Sequence, residues 1–255
     1  MDIVLTDWRG TFTSERPTLH SLPHPENPHY THLSHMALQH APHTQLHGVP
    51  ELSQPSWKPI ASIPAQSPFP YSAALLEHPT QARNIVLVTG DARTILHYCS
   101  LDSQTRYVIE QEIFTQESEG FFPIGIAFKH THAPELSRDT IHELTLIGFA
   151  NTSFELMQDA SRIIRSLHEK KIQIKIVSPM ALRLSQSIAR NIGIVASEDV
   201  CVTGNNLALM SDNELREYIP RVNIFSELEF ADEQRITRIF EEGGHQIIRH
   251  EFSRA

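Results

Sequence analysis

The stretch Ile-Val-Leu-Thr-Asp-Trp-Arg-Gly-Thr-Phe-Thr, residues 3–13, ends a short apolar run in Asp7 and follows it closely with Gly10, Thr11 and Thr13. A strand that hands a carboxylate to a glycine- and threonine-bearing loop has the parts of a nucleophile site. The carboxylate attacks, and the loop's amides and hydroxyls steady the group attacked. The alternative is an aspartate hydrogen-bonded to the amides of Gly10 and Thr11, with no chemistry.

Histidine is the second concentration of reactive side chains. Eight of the sixteen fall between residues 20 and 47: His20, His24, His29, His32, His35, His40, His43 and His47. His32/His35 and His40/His43 stand three apart, and His43/His47 four apart. On a helix such spacing puts two imidazoles on one face, a donor pair suited to Zn²⁺, Ni²⁺ or Cu²⁺. We take His32, His35, His40 and His43 as the candidate ligands. Carboxylate co-ligands are scarce (Glu15, Glu26, Glu51) and prolines interrupt the segment, so a solvated loop of biased composition is the competing reading. Either way the segment gains charge below about pH 6.5.

The elements that must position these residues are bounded by composition. A chain of 255 residues, 40% hydrophobic and 20% charged, can bury a core in one large domain or two ordinary ones. A net charge of −9 argues against a nucleic-acid or anionic-membrane surface. Cys99 and Cys201 form neither a disulfide framework nor a zinc knuckle, which fits a reducing cytoplasm. No basic segment followed by an apolar run opens the sequence, and no stretch reaches the roughly 20 apolar residues of a membrane span. The expectation is a soluble, cytoplasmic chain.

Residues 3–6 suit a buried parallel strand. Residues 14–83 are rich in Pro, His and Ser, with a short helix at 30–40 and a strand at 58–65. Further strands are expected at 84–89 and 121–129, with Pro123 placing the latter at an edge or a bulge. Helices are expected at 92–99 and 102–115, the second with Val108, Ile109 and Ile113 on one side. Beyond 140 the pattern regularises into strand 144–149, helix 156–167, strand 172–177 and helix 181–192. The first of these helices turns Leu156, Ala160, Ile163, Ile164 and Leu167 inward. Short strands at Val195, Val202 and 222–225 precede a helix at 232–242, ended by Gly243 and Gly244. The alternation argues for a parallel sheet with helices on both faces. The fold class is α/β, with residues 1–15 and 136–255 forming one discontinuous domain and 16–135 an inserted α+β domain.

Several motifs resemble the cytoplasmic part of a P-type cation-transporting ATPase, whose haloacid-dehalogenase-like phosphorylation domain is interrupted by a nucleotide-binding domain. Asp7-Trp8-Arg9-Gly10-Thr11-Phe12-Thr13 is similar to that family's D-K-T-G-T-L-T. The block from Leu144 to Ile194 resembles its strand, helix, strand and helix leading to A-R-x-I-G-I. Residues 220–245 resemble its A-R-V-S-P-E-Q-K segment with an insertion, and residues 85–100 its K-G-A-P-E segment with the helix that follows. The resemblance implies Asp7 as nucleophile, Thr11 and Ser178 as phosphate-binding hydroxyls and Arg235 in place of the motif lysine. It implies Gly90 at the nucleotide site, and ATP with Mg²⁺ as the cofactors of any remaining activity.

Departures from the family pattern argue for loss of that chemistry. The lysine after the aspartate is Trp8 and the next threonine is Arg9, a guanidinium able to pair with Asp7. The T-G-D segment falls on Ser178-Pro179-Met180, replacing an acid by a thioether. The adenine-stacking phenylalanine falls on Ala65, with Phe69 and Tyr71 nearby but out of register, and the K-G-A-P-E lysine on Thr89. No G-D-G-x-N-D follows residue 245, where Glu251 is the remaining acid. The expected function is therefore a non-catalytic binding or regulatory module with no resident cofactor and with a protein partner, a transporter among the candidates. A weak ATPase or phosphatase working through Asp7 is the alternative, and metal binding by residues 20–47 a third. The acidic helical stretches 102–119 and 227–242 are candidate partner surfaces.

Overall fold

Four β-branched or apolar residues in succession, Ile3–Thr6, form β1, buried on both sides as a central parallel strand requires. In this computed structural model the described residues are 3–50, 57–66, 70–78, 80, 83–194 and 201–250, with 249 and 250 described by backbone alone. The expected strand at Val195, and the residues Phe69 and Glu251, lie outside them. The chain divides into two units: Met1–Glu15, Glu117–Gly120 and Phe154–Ala255, and Arg16–Gln116 with Phe121–Ser153.

The second unit is built on an antiparallel sheet. Its strands are β2 (Thr18–Ser21), β3 (Lys58–Ile63), β4 (Tyr71–Glu77), β5 (Asn84–Asp91), β6 (Ile124–Thr131) and β7 (Thr145–Ser153), in the spatial order β2-β7-β6-β5-β4-β3. Its helices are α1 (Pro28–His40), α2 (Ala92–Tyr98) and most of α3 (Ser103–Ser118). Asn27 caps α1 through the amides of His29 and Tyr30, with Pro28 in the first turn, where its missing N–H costs nothing. Alternation splits the sheet: Tyr71, Ala73, Leu75, Val86 and Val88 pack with Ile95 of α2, while α1 packs on β4 and β5. A Cβ on Gly125 would stand 2.7 Å from Ile95 Cβ, so helix and sheet meet at van der Waals contact there.

Two expectations are corrected here. The strand read at 144–149 as part of the parallel sheet is β7, paired antiparallel with β6 and β2. The boundary placed between 135 and 136 therefore falls between Ser153 and Phe154. A run such as Leu-Thr-Leu-Ile-Gly-Phe states strand, but its partner is set by topology. Pro123 does not mark an edge either: it stands outside β6, which is paired on both sides, and the register shift comes later, between Ile126 and Ala127.

The first unit is a five-stranded sheet in the order β11-β1-β8-β10-β9, every neighbour parallel. It adds β8 (Gln173–Val177), β9 (Cys201–Thr203), β10 (Ile224–Ser226) and β11 (Ile247–His250) to β1. Helices α4 (Ala160–Glu169), α5 (Leu182–Asn191), α6 (Gly204–Ala208), α7 (Asp212–Tyr218) and α8 (Phe230–Glu242) connect them. Ile3, Leu5, Val202 and Phe225 form a core with Leu207 of α6, Leu215 of α7 and Ile236, Ile239 and Phe240 of α8. On β8 the alternation puts Lys175 toward Phe240 and Ile174 and Ile176 on the opposite face. The α/β architecture is as the sequence indicates, and among the described residues no helix is long and apolar enough to cross a membrane.

Two helix faces depart from expectation. Ile163 is 42% exposed on α4, whose buried residues are Ala160 and Ile164, because the helix begins at Ala160 and is rotated away from it. On α3, Ile113 is buried but Val108 is 59% exposed, since 108 stands about 140° around the helix from 113.

Candidate functional site

Asp7 and Ser178 each follow the last residue of neighbouring parallel strands, β1 and β8. They meet at the carboxyl ends of the strands, where α/β sheets open their crevices. Ser178 Oγ donates to Asp7 Oδ1 at 3.1 Å and accepts from the Met180 amide at 3.3 Å. The Ser178 backbone is fixed by its amide to Phe225 O and by Leu228 N to its carbonyl. The structure thus brings together two residues that lie 171 positions apart in the chain.

The loop after Asp7 is held by its neighbours. Trp8 O accepts from the amides of Phe12 and Thr13, and Gly10 makes the turn at φ +64°, in the left-handed region. Trp8 is fully buried, edge-on to Phe154 with centroids 4.9 Å apart, and its Nε1 donates to Ser185 Oγ on α5 at 3.2 Å. In sequence Trp8 reads as a lost lysine; in the fold it anchors the loop. Thr6 Oγ1 donates to Asp7 O and lies 2.9 Å from Thr11 Oγ1, so Thr11 gives its proton to Thr6. That is a scaffolding role for Thr11.

Arg9 supplies the decisive electrostatics. Its Nε and Nη2 donate to Asp7 Oδ2 at 3.0 and 2.9 Å, and its backbone amide approaches Oδ1 at 3.3 Å. With Ser178 on Oδ1, both carboxylate oxygens carry charge-assisted hydrogen bonds. The pair is accessible, Arg9 being 35% exposed and Asp7 13%. A magnesium ion takes hard oxygen donors, carboxylates above all. Here Arg9 holds Oδ2 and Met180 stands where the resemblance expects a second acid, so these residues do not fit that ion.

Arg235 is elsewhere. On α8 its Nε donates to Asp212 Oδ1, Nη1 to Leu207 O and Nη2 to Met210 O, at 2.6–2.8 Å. These bonds clamp the ends of α6 and α7. The guanidinium on Asp7 is instead Arg9, two residues away in sequence.

Lys175 was not singled out from the sequence, where it reads as one polar position in an alternating strand. It is fully buried, with Nζ donating to Pro220 O at 2.8 Å and Val222 O at 2.7 Å. Burial pushes its ammonium down to about 8, and the two carbonyls and the Phe240 ring at 5.6 Å hold the charged form.

In the antiparallel unit, Thr89 is fully buried. Its hydroxyl donates to Ala41 O and accepts from His43 N, while Ser72 Oγ donates to Pro42 O and accepts from Ala65 N. Residues 41–43 are thereby tied directly to Thr89 and, through Ser72, to Ala65, the two positions where the resemblance would seat a nucleotide. Tyr71 is buried edge-on to Tyr98, with Arg138 over its ring. A Cβ on Gly90 would meet Pro70 O at 3.0 Å and Ile95 Cδ1 at 3.1 Å, so this glycine serves close packing.

The four candidate metal ligands do not converge. His32 and His35 stand on α1, His40 is its last residue and His43 lies beyond it. Among the described residues no three His, Cys, Asp or Glu side chains form a metal-holding group. Burial pushes the His35, His40 and His43 imidazoles down; Asp91 partly offsets this at His43, whose Nδ1 is buried without a hydrogen bond.

No protein-family model matches the chain. The cation-transporting ATPase pma1 of Synechocystis sp. is 26% identical over 206 residues, covering 75% of this chain and 22% of the relative. The magnesium-transporting ATPase, P-type 1, of Escherichia coli is 23% identical over an alignment of 274 residues, 97% of this chain and 30% of its own. Calcium-transporting ATPase 1 of Yarrowia lipolytica is 22% identical over 203 residues, with 74% and 22% covered. The chain spans less than a third of the length of these relatives. It is distantly similar, over most of its own length, to a limited region of P-type cation-transporting ATPases.

Proposed function

We propose that the chain is a non-catalytic binding or regulatory module, related to the phosphorylation and nucleotide-binding domains of P-type ATPases and acting through a protein partner, a transporter being the first candidate. The single observation that carries this is the Arg9 guanidinium on Asp7. A nucleophilic carboxylate approaching a phosphoryl group needs a cation that bridges both, whereas a side-chain fork on Oδ2 neutralises the attacking oxygen itself. Burial of Thr89 beneath residues 41–43 supports the same reading at the nucleotide positions. The test is thermal: ATP with Mg²⁺ should leave the melting temperature unchanged, because a ligand at 100 times its Kd would stabilise the fold by about 2.7 kcal/mol. A clear rise would sink the proposal. Arg9→Thr gives a second arm. If Arg9 blocks Asp7, incorporation of labelled phosphate from acetyl phosphate, a donor that needs no nucleotide pocket, rises in this variant above the wild-type level.

The second reading, a weak ATPase or phosphatase, draws on the Ser178–Asp7 hydrogen bond, which keeps two expected site residues together. It predicts slow incorporation of labelled phosphate by the wild type and its loss in Asp7→Asn.

A further inference from the structure

Residues 41–47 run between two anchors. At one end the Ala41 amide donates to Ala37 O and closes α1; at the other, His47 donates to Pro17 O and accepts from the Leu19 amide of β2. Between them, among the described residues, two side-chain hydroxyls hold the segment to the sheet, each used twice. Thr89 on β5 donates to Ala41 O and accepts from the His43 amide, and Ser72 on β4 donates to Pro42 O and accepts from Ala65 N. Thr89 and Ser72 are buried, whereas Pro42 is exposed and has no N–H to give. His43 Nδ1 is buried in this seat with no hydrogen-bond partner. The charged group that acts on the ring is Asp91 at the end of β5, whose Oδ1 accepts from the amides of Arg93 and Thr94 at the start of α2. Among the described residues, α1 with His40, β4 with Ser72 and the β2 side with His47 bring no charge to bear on it.

We propose that residues 41–46 are an acid-released strap: a proton on His43 unseats its ring, and the segment lifts from β4 and β5 between its two anchors. A neutral imidazole can bury an unpartnered Nδ1, because one of its two nitrogens carries no hydrogen. The imidazolium cannot, since Nδ1 then carries an N–H without an acceptor and the ring a charge without solvent. Asp91 offsets only part of that cost. Burial is the larger effect and holds the imidazole below its ordinary value of about 6.5. The closed strap is therefore fully favoured above about pH 6.5, and it weakens as the medium is acidified, by no more than about tenfold per pH unit. Lifting frees two hydroxyls, that of Thr89 and that of Ser72, which holds the Ala65 amide. Residues 65 and 89 are the positions where the resemblance would seat a nucleotide, so the strap gates that part of the sheet. The gate does not depend on whether Asp7 has any chemistry.

Amide hydrogen exchange of the full chain, followed by NMR and expressed as protection factors, tests it between pH 7.5 and 5.5. The His43 amide, donated to Thr89 Oγ1, reports the strap directly. The amides of Leu87 and Val88, in a strand paired on both sides, report the sheet beneath it. The expected result is a severalfold fall in protection at His43, about tenfold at most, while Leu87 and Val88 keep theirs. His43→Gln and His43→Phe both remove the titration, one keeping a polar side chain and the other an aromatic one. In either variant the amide of residue 43 should stay equally protected at both pH values. Asp91→Asn, which keeps a capping side chain on α2, removes the charge that favours the imidazolium and should deepen the fall. Protection at His43 that ignores pH overturns the proposal. A fall shared equally by Leu87 and Val88 overturns it too, because the whole sheet is then opening. So does a fall that persists in both His43 variants, which would assign it to another histidine, or one made shallower by Asp91→Asn.

Discussion

At the scale of single residues, Asp7 is defined by what holds it. Trp8→Ala removes a fully buried indole and leaves Ser185 Oγ without its donor, so it should cost about 3–5 kcal/mol in urea unfolding. Lys175 predicts a pH effect whose sign is fixed by its lowered value. Between about 8 and the ordinary lysine value near 10.5, the unfolded chain holds a proton that the folded chain has released. Stability contributed by this residue therefore rises with pH through that window. Cys99, whose thiol burial pushes up to about 12, acts in the opposite direction above about 9. The difference between wild type and Lys175→Met isolates the lysine: it should climb between pH 8 and 10 and be flat from pH 6 to 7. Ser178 came from the family resemblance alone, whereas Asp7 was legible in the sequence because strand, acid and glycine stand together. Trp8 and Lys175 were not, because an indole or ammonium inside a core is known only from what surrounds it, and those neighbours come from distant helices. Arg9 was read correctly as a potential partner of Asp7, since two residues of separation leave a guanidinium little else to reach.

At the scale of elements, Thr89 ties the end of α1 to β5. Thr89→Val leaves Ala41 O and His43 N buried without partners and should destabilise by roughly 1–3 kcal/mol in the same measurement, whereas Thr89→Ser should recover most of it. Gly125→Ala would push a methyl to 2.7 Å from Ile95 Cβ and cost about 1–3 kcal/mol through displacement of α2. The histidines of this region also carry a sign. His35, His40, His43 and His130 are all pushed down chiefly by burial, so the unfolded chain takes up protons first as the medium is acidified. Stability should be full above about pH 6.5 and fall below it, and His43→Phe should lessen the slope in a melting series from pH 7.5 to 5. The alternation of β8, α5 and α8 was plain from spacing alone. The pairing of β7 was not, since an apolar run carries no mark of its neighbour. The faces of α3 and α4 were misjudged where a helix began later, or turned further, than its apolar residues suggested.

For the whole molecule, the two units have cores of their own, and Trp8 and Thr89 share no partner. The double variant Trp8→Ala/Thr89→Val should therefore lose the sum of the single losses to within about 0.5 kcal/mol. The division into a parallel and an antiparallel unit was readable from the change in composition after residue 13; where the chain re-enters the first unit was not. One arrangement bears on how the protein is made. β1 lies between β8 and β11, so during synthesis it waits for partners that are made only after residues 16–153. Residues 16–153 meet all their sheet partners well before that, and domains fold as units while synthesis proceeds. During that interval Ile3, Val4 and Leu5 are an unpaired apolar segment, which makes this strand a natural point of engagement for a chaperone on the nascent chain.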